Sequence, residues 1–162
     1  MQELNIPYGR EHVSFQLPKD TTVEIIKAHT PPEHNLDQHV LLIEALDDPL
    51  GSKPLETLAK PGQTVAVIIS DNTRPCPSAI MLPPLLERLQ EAGVQNEDVV
   101  IIAALGLHRQ MTDAELEEAV GSEIYEQYSV INHDIDDVVE VGTTKRGTPV
   151  EVFKPAVEAD LR

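Results

Sequence analysis

Val65-Ala66-Val67-Ile68-Ile69-Ser70-Asp71-Asn72-Thr73-Arg74-Pro75 is the stretch on which the fold turns. Its first five residues are apolar and mostly β-branched, the pattern of a strand buried on both faces in a parallel sheet. The strand stops at a polar run, Ser70 to Arg74, and Pro75 follows. Beyond it Ile80, Leu82, Leu85, Leu86 and Leu89 mark a helix that Gly93 ends. Pro83-Pro84 inside that helix predicts a kink or a split.

The same unit recurs downstream. Val99-Val100-Ile101-Ile102-Ala103-Ala104 reads as a second buried strand, ending at Leu105-Gly106-Leu107-His108-Arg109. Thr112, with Glu115 three residues on, is the signature of a capping box opening a helix that runs through Ala119 to Gly121. A short helix over Ile124–Tyr128 and a third parallel strand over Val130–His133 follow. Val138–Val141 and Pro149–Phe153 read as a hairpin around Lys145-Arg146-Gly147.

Upstream, His12–Leu17 alternates as a strand does, and Val23–Ile26 reads as another after a Lys-Asp-Thr turn. Thr30–Glu33 is a Pro-containing linker. Leu36, Val40, Ile43 and Leu46 have helical spacing, stopped by Asp47, Pro49 and Gly51. Ser52 is placed to cap a short helix through Leu58. Two strand–loop–helix units in tandem give the fold class: α/β, a mostly parallel sheet flanked by helices, with N-terminal strands and a C-terminal hairpin.

A chain of 162 residues is about one domain's worth. Its net charge of −16 argues against nucleic acid or an anionic membrane as partner, because phosphate is repelled. An apolar run of membrane-spanning length is absent, and Met1–Arg10 has no signal-peptide core. The lone Cys76 forbids an internal disulfide and fits a reducing, cytoplasmic setting. GxGxxG, P-loop and GxSxG patterns are missing too, which leaves dinucleotide, nucleotide and serine-hydrolase readings without support.

Ligands of open α/β sheets bind beyond the carboxyl ends of the strands. One such end carries Asp71, Asn72, Thr73 and Arg74, the other Gly106, His108 and Arg109. Arg74 has the planar donor fork that matches a carboxylate or phosphate, beside a helix N-terminus that favours negative charge. The plain alternative is that Arg74 only pairs with Asp71, while Asp71 or Ser78 only caps a helix. His108 is of the type that serves as general base or acid near neutrality; its plain alternative is a surface loop histidine. His133 is its one competitor, since His29 and His34 flank the Pro31-Pro32 linker and His12 and His39 lie in amphipathic segments. Cys76 reads as a buried, inert thiol.

At these two loops the sequence resembles a known family. Ser70–Pro77 is similar to the S-D-x-T-R-P-x-P segment of nickel-dependent lactate racemases, and Ala104–Thr112 to their T-G-x-H-R-x-x-T segment, with Leu105 where the family usually has Thr. Leu4–Gly9 and Asp47–Ser52 fit the same pattern. The resemblance implies that residues 1–162 are the N-terminal domain of a two-domain enzyme that racemises or epimerises a small 2-hydroxy acid. The cofactor implied is a nickel pyridinium-3,5-bisthiocarboxylic acid mononucleotide attached to a lysine. Asp71, Asn72, Thr73 and Arg74 would line its site, Arg74 would also grip the substrate carboxylate, and His108 would be one of two bases. The family's attachment lysine, second catalytic histidine and nickel-ligating histidine have no counterpart in this sequence, so no metal ligand is assigned. Alone, the chain is expected to be inactive, with the C-terminal domain of the full-length protein as its partner. The alternative from a different class is a non-catalytic module that binds a small anion in the same crevice.

Overall fold

The computed structural model describes residues 2–26 and 37–162. The chain divides into two compact units, Met1–Asn35 and Leu36–Arg162. In the first, β1 (Gln2–Tyr8) and β2 (Glu11–Leu17) pair antiparallel in a tight hairpin, with Tyr8 opposite Glu11. Val23–Ile26, expected as a strand, is not one. Among the described residues it has no pairing partner, and Ile25 and Ile26 are exposed, so β-propensity has nothing to act on. The linker over Thr30–Glu33 and the expected helix start at Leu36 lie outside the described residues.

The second unit holds the sheet. It is built from β3 (Val65–Ser70), β4 (Val99–Ala104) and β5 (Ser129–Asn132), all parallel, in the order β3-β4-β5. These are the strands that the apolar runs predict. Around it lie α1 (Gln38–Asp47), α2 (Leu55–Leu58), α3 (Ser78–Glu91), α4 (Asp113–Val120) and α5 (Ser122–Gln127). One sheet face, with Val65, Ile69, Ile101 and Ala103, packs against Leu82, Leu86 and Leu89 of α3 and Leu116 and Val120 of α4. The other face, with Ala66 and Ile102, is covered by Phe153, Ala156 and Ala159. These come from β7 (Pro149–Phe153) and α6 (Lys154–Glu158), the helix that the sequence pattern missed. Burial on both faces is why the strands are continuously apolar.

The α3 helix runs through Pro83 and Pro84 as one element, so the expected split does not occur. Leu82, Leu86 and Leu89 are buried along one side and Pro84 is buried as well, and this packing outweighs the hydrogen bonds the prolines remove. Gly93 ends the helix at φ +88°, and a Cβ there would meet the Pro61 ring at 2.7 Å, so both backbone and space demand glycine. Thr112 and Glu115 form the expected capping box of α4, worth about 1 kcal/mol. Ser52 does not cap α2. Its hydroxyl donates to the Lys53 carbonyl, and Pro54 occupies the cap position.

β6 (Val138–Thr143) and β7 form the expected hairpin around Lys145-Arg146-Gly147. At the free edge of β3, Leu161 makes a parallel bridge to Val65, with Ala66 N–H donating to Leu161 at 2.9 Å and Leu161 N–H to Thr64 at 3.1 Å. Among the described residues, no helix is long and apolar enough to cross a membrane.

The packing makes a direct forecast. Leu89, 1% exposed at the sheet–α3 contact, should cost about 2–5 kcal/mol when cut to Ala. Ile68, exposed on the edge strand, should cost clearly less when cut the same way. Urea unfolding midpoints of the two variants read the difference, and equal losses would contradict this core assignment.

Candidate active site

β3 and β4 are parallel neighbours in register, with Ser70 opposite Ala104. Their carboxyl ends therefore release Asp71 and Leu105 side by side. The first loop folds on the Asp71 carboxylate. Its Oδ1 accepts from the Thr73 N–H at 3.0 Å and the Thr73 hydroxyl at 2.6 Å, while Arg74 N–H donates to the Asp71 carbonyl at 3.1 Å. The second loop turns through Gly106 at φ +58°, and His108 N–H donates to the Leu105 carbonyl at 3.0 Å. That turn brings the His108 ring back over the first loop, where Nδ1 hydrogen-bonds Asp71 Oδ2.

Asp71 is 4% exposed, whereas the His108 side chain is 48% exposed. The carboxyl group is held down to about 2 by the Thr73 hydroxyl first and by the His108 ring second, against the opposing effect of burial. An ionised carboxylate only accepts hydrogen bonds, so His108 Nδ1 must be the donor. In the neutral ring this fixes the tautomer and leaves a lone pair on Nε2, at the more open end of the side chain.

Arg74 lines the crevice next to His108, and among the described residues its guanidinium has no ion pair or hydrogen bond. The alternative that it merely pairs with Asp71 is not what the structure has, because Asp71 is taken by Thr73 and His108. Neither Asp71 nor Ser78 caps α3, whose cap residue is Pro77 without a side-chain bond. The crevice has a volume of ≈ 530 Å³, and Ile68, Ser70, Asp71, Arg74, Gly106 and His108 are among its walls. Asn72 lies instead on the neighbouring cleft toward α4, donating to Glu115 Oε1 at 2.9 Å. Thr73 sits behind Asp71.

Arg109 is in a two-pronged ion pair with Glu115, at 2.7 and 2.8 Å, and Glu115 is held down to about 2 by that guanidinium and by the Thr112 N–H. His133 stands apart: it packs edge-on against Phe153 at 5.3 Å, on the sheet face that β7 covers. Cys76 is exposed, not buried as expected, because its Pro-flanked loop lies beyond the strand end and outside the core. Among the described residues, no group of three or more His, Cys, Asp and Glu is arranged to hold a metal ion.

Two positioning residues escaped the sequence reading. Asn132, at the end of β5, grips both backbone groups of Met111, accepting at 3.0 Å and donating at 2.9 Å, and so anchors the second loop. Glu115 reads in sequence only as a helix cap. Asn132 was findable in principle, as a polar residue closing an otherwise apolar strand.

A family model described as the lactate racemase N-terminal domain matches residues 8–162. The chain belongs to that family. It is 33% identical, over 99% of its length, to the lactate racemase of Thermoanaerobacterium thermosaccharolyticum, and 31% identical to that of Lactiplantibacillus plantarum. It spans 38% and 39% of those two relatives. The fold is similar to the solved lactate racemase apoprotein of the Thermoanaerobacterium species, with a TM-score of 0.74 and 32% identity over 99% of this chain and 38% of that one. The α/β class expected from the strand pattern thus holds.

The low Asp71 value makes a pH forecast. Its folded value lies below the ordinary unfolded one of about 3.9, so the unfolded state binds the proton more readily between them. The stabilisation is complete above about pH 4 and is lost as pH falls toward 2. Thermal unfolding from pH 5 to 2 should show a shallower acid decline in Asp71→Asn than in the parent chain. Glu115 adds its own decline in the same window, so part of the slope should remain. Parallel curves would contradict the assignment.

Proposed function

We propose that this chain forms the anion-and-base wall of a 2-hydroxy-acid racemase or epimerase, with lactate-type substrates as its class. The observation that carries the reading is the presence on one crevice of Arg74, without a partner among the described residues, and His108, oriented by Asp71. The guanidinium fork takes the substrate carboxylate in two parallel hydrogen bonds and fixes the carbon that inverts. His108 Nε2 takes the hydroxyl proton of one enantiomer as the substrate becomes a flat 2-keto acid, and gives that proton back when the reaction runs the other way. When hydride returns to the opposite face, the new alkoxide takes its proton from a second acid–base group, which we assign to the part of the relatives that lies beyond this chain's span.

Removing the α-hydrogen as a proton is hard beside a carboxylate, so hydride removal is the easier course. The nickel pyridinium-3,5-bisthiocarboxylic acid mononucleotide would supply the hydride acceptor when bound. Arg74, unpaired among the described residues, and the crevice it lines fit an anionic group of that kind. No residue of this chain is assigned as a nickel ligand. Asp71, Asn72 and Thr73 would then shape the loop that presents Arg74, with their polar atoms already engaged by Thr73, His108 and Glu115.

The test uses a full-length protein containing this chain, loaded with cofactor, and follows D-lactate to L-lactate. His108→Gln should lower kcat by roughly 10²–10⁴-fold, the usual worth of a positioned base. Arg74→Ala should raise KM and lower kcat together, and Arg74→Lys should rescue only in part, because an ammonium lacks the fork. The 162-residue chain alone should give no L-lactate. Pyruvate binding at Arg74 without any racemisation by the full-length protein would overturn this reading in favour of a non-catalytic small-anion-binding module.

A further inference from the structure

Five hydrogen bonds converge on the Glu115 carboxylate from three directions. Oε1 accepts from Asn72 Nδ2 at 2.9 Å and Arg109 Nη2 at 2.7 Å. Oε2 accepts from Arg109 Nη1 and the Thr112 N–H, both at 2.8 Å, and from the Thr112 hydroxyl at 3.3 Å. Asn72 belongs to the loop after β3, Arg109 to the loop after β4, and Thr112 to the start of α4. A helix cap alone needs only the Thr112 contacts. The remaining three tie the two loops to each other.

The tie lies beside a second one. Asp71 joins His108, and Asn72 joins Arg109 through Glu115, so two consecutive residues of one loop are fastened to two consecutive residues of the other. We propose that Glu115 is a positioning residue that clasps the two strand-end loops in register and occupies Arg109, leaving Arg74 as the cation presented to an anion in the crevice. The second part rests on the anion reading above; the clasp itself does not. Charge-assisted bonds are the stronger kind, and a bidentate Arg–carboxylate pair also fixes orientation. In a chain of net charge −16, a second loose arginine at this end would offer an anion a competing position.

The experiment is carbon-13 NMR of the Asp71 carboxyl group through an acid titration of the 162-residue chain. In the parent chain the midpoint should lie near 2. In Glu115→Ala it should climb part of the way toward the ordinary value of about 3.9, as the loops part and the His108 bond weakens while the local Thr73 bonds persist. Deleting a nearby negative charge would by itself push the midpoint down, so a rise reports lost geometry. Asn72→Ala, which changes no charge and leaves the capping box intact, should give a rise too, and Glu115→Gln should restore part of the parent behaviour. Thr112→Ala should lower Tm yet leave the Asp71 midpoint in place. The proposal is overturned if Glu115→Ala and Asn72→Ala both keep the midpoint near 2, or if Thr112→Ala raises it equally. Pyruvate added to the same samples tests the anion reading separately. Failure of the parent chain to bind it would sink that reading, while the titration still decides the clasp.

Discussion

The contact between the buried Asp71 carboxylate and the half-open His108 ring is the constraint on which the site depends. It joins the ends of two adjacent parallel strands, and it works in one direction only. Thr73 fills Asp71 Oδ1 and holds the group ionised, so the remaining oxygen can only accept a hydrogen bond from His108 Nδ1–H. The ring is thereby oriented by a group that solvent hardly reaches. Everything more open, from the Nε2 lone pair to the guanidinium of Arg74, is set out from that fixed point.

Around it the electrostatics are arranged by engagement. The chain carries 12 Lys and Arg against 28 Asp and Glu, so a small anion approaches an unfavourable field. A local cation can still hold it if no carboxylate has claimed that cation first. Arg88 is claimed by Asp47 and Glu56, and Arg109 by Glu115. Among the described residues Arg74 is not, and Asp71, the acid near it in sequence, is already committed to Thr73 and His108. An acidic surface and the anion site proposed at Arg74 are therefore compatible.

Much of this was legible from residues. The runs Val65–Ile69 and Val99–Ala104 announce parallel strands because a doubly covered sheet needs apolar side chains on both faces. The capping box at Thr112 and Glu115 is local chemistry and reads directly. Asp71, Arg74 and His108 were singled out because strand ends in such sheets face ligands. What was hidden depends on partners distant in sequence. Pro83-Pro84 reads as a break until the burial of Leu82, Pro84, Leu86 and Leu89 is known. Val23–Ile26 reads as a strand until it is found to lack a neighbour among the described residues. The bond from Asn72 to Glu115 spans 43 residues, and no local pattern announces it. The match to the lactate racemase N-terminal domain accords with the two loop motifs together, since either alone is a short polar turn after a strand.

The orientation of His108 can be read directly by nitrogen-15 NMR of its ring, at a pH where the ring is neutral. The account requires the proton on Nδ1, facing Asp71, and a bare Nε2, and in Asp71→Ala it requires the two tautomers to mix. A parent chain whose ring carries its proton on Nε2, or whose tautomers already average as in a free imidazole, would contradict it.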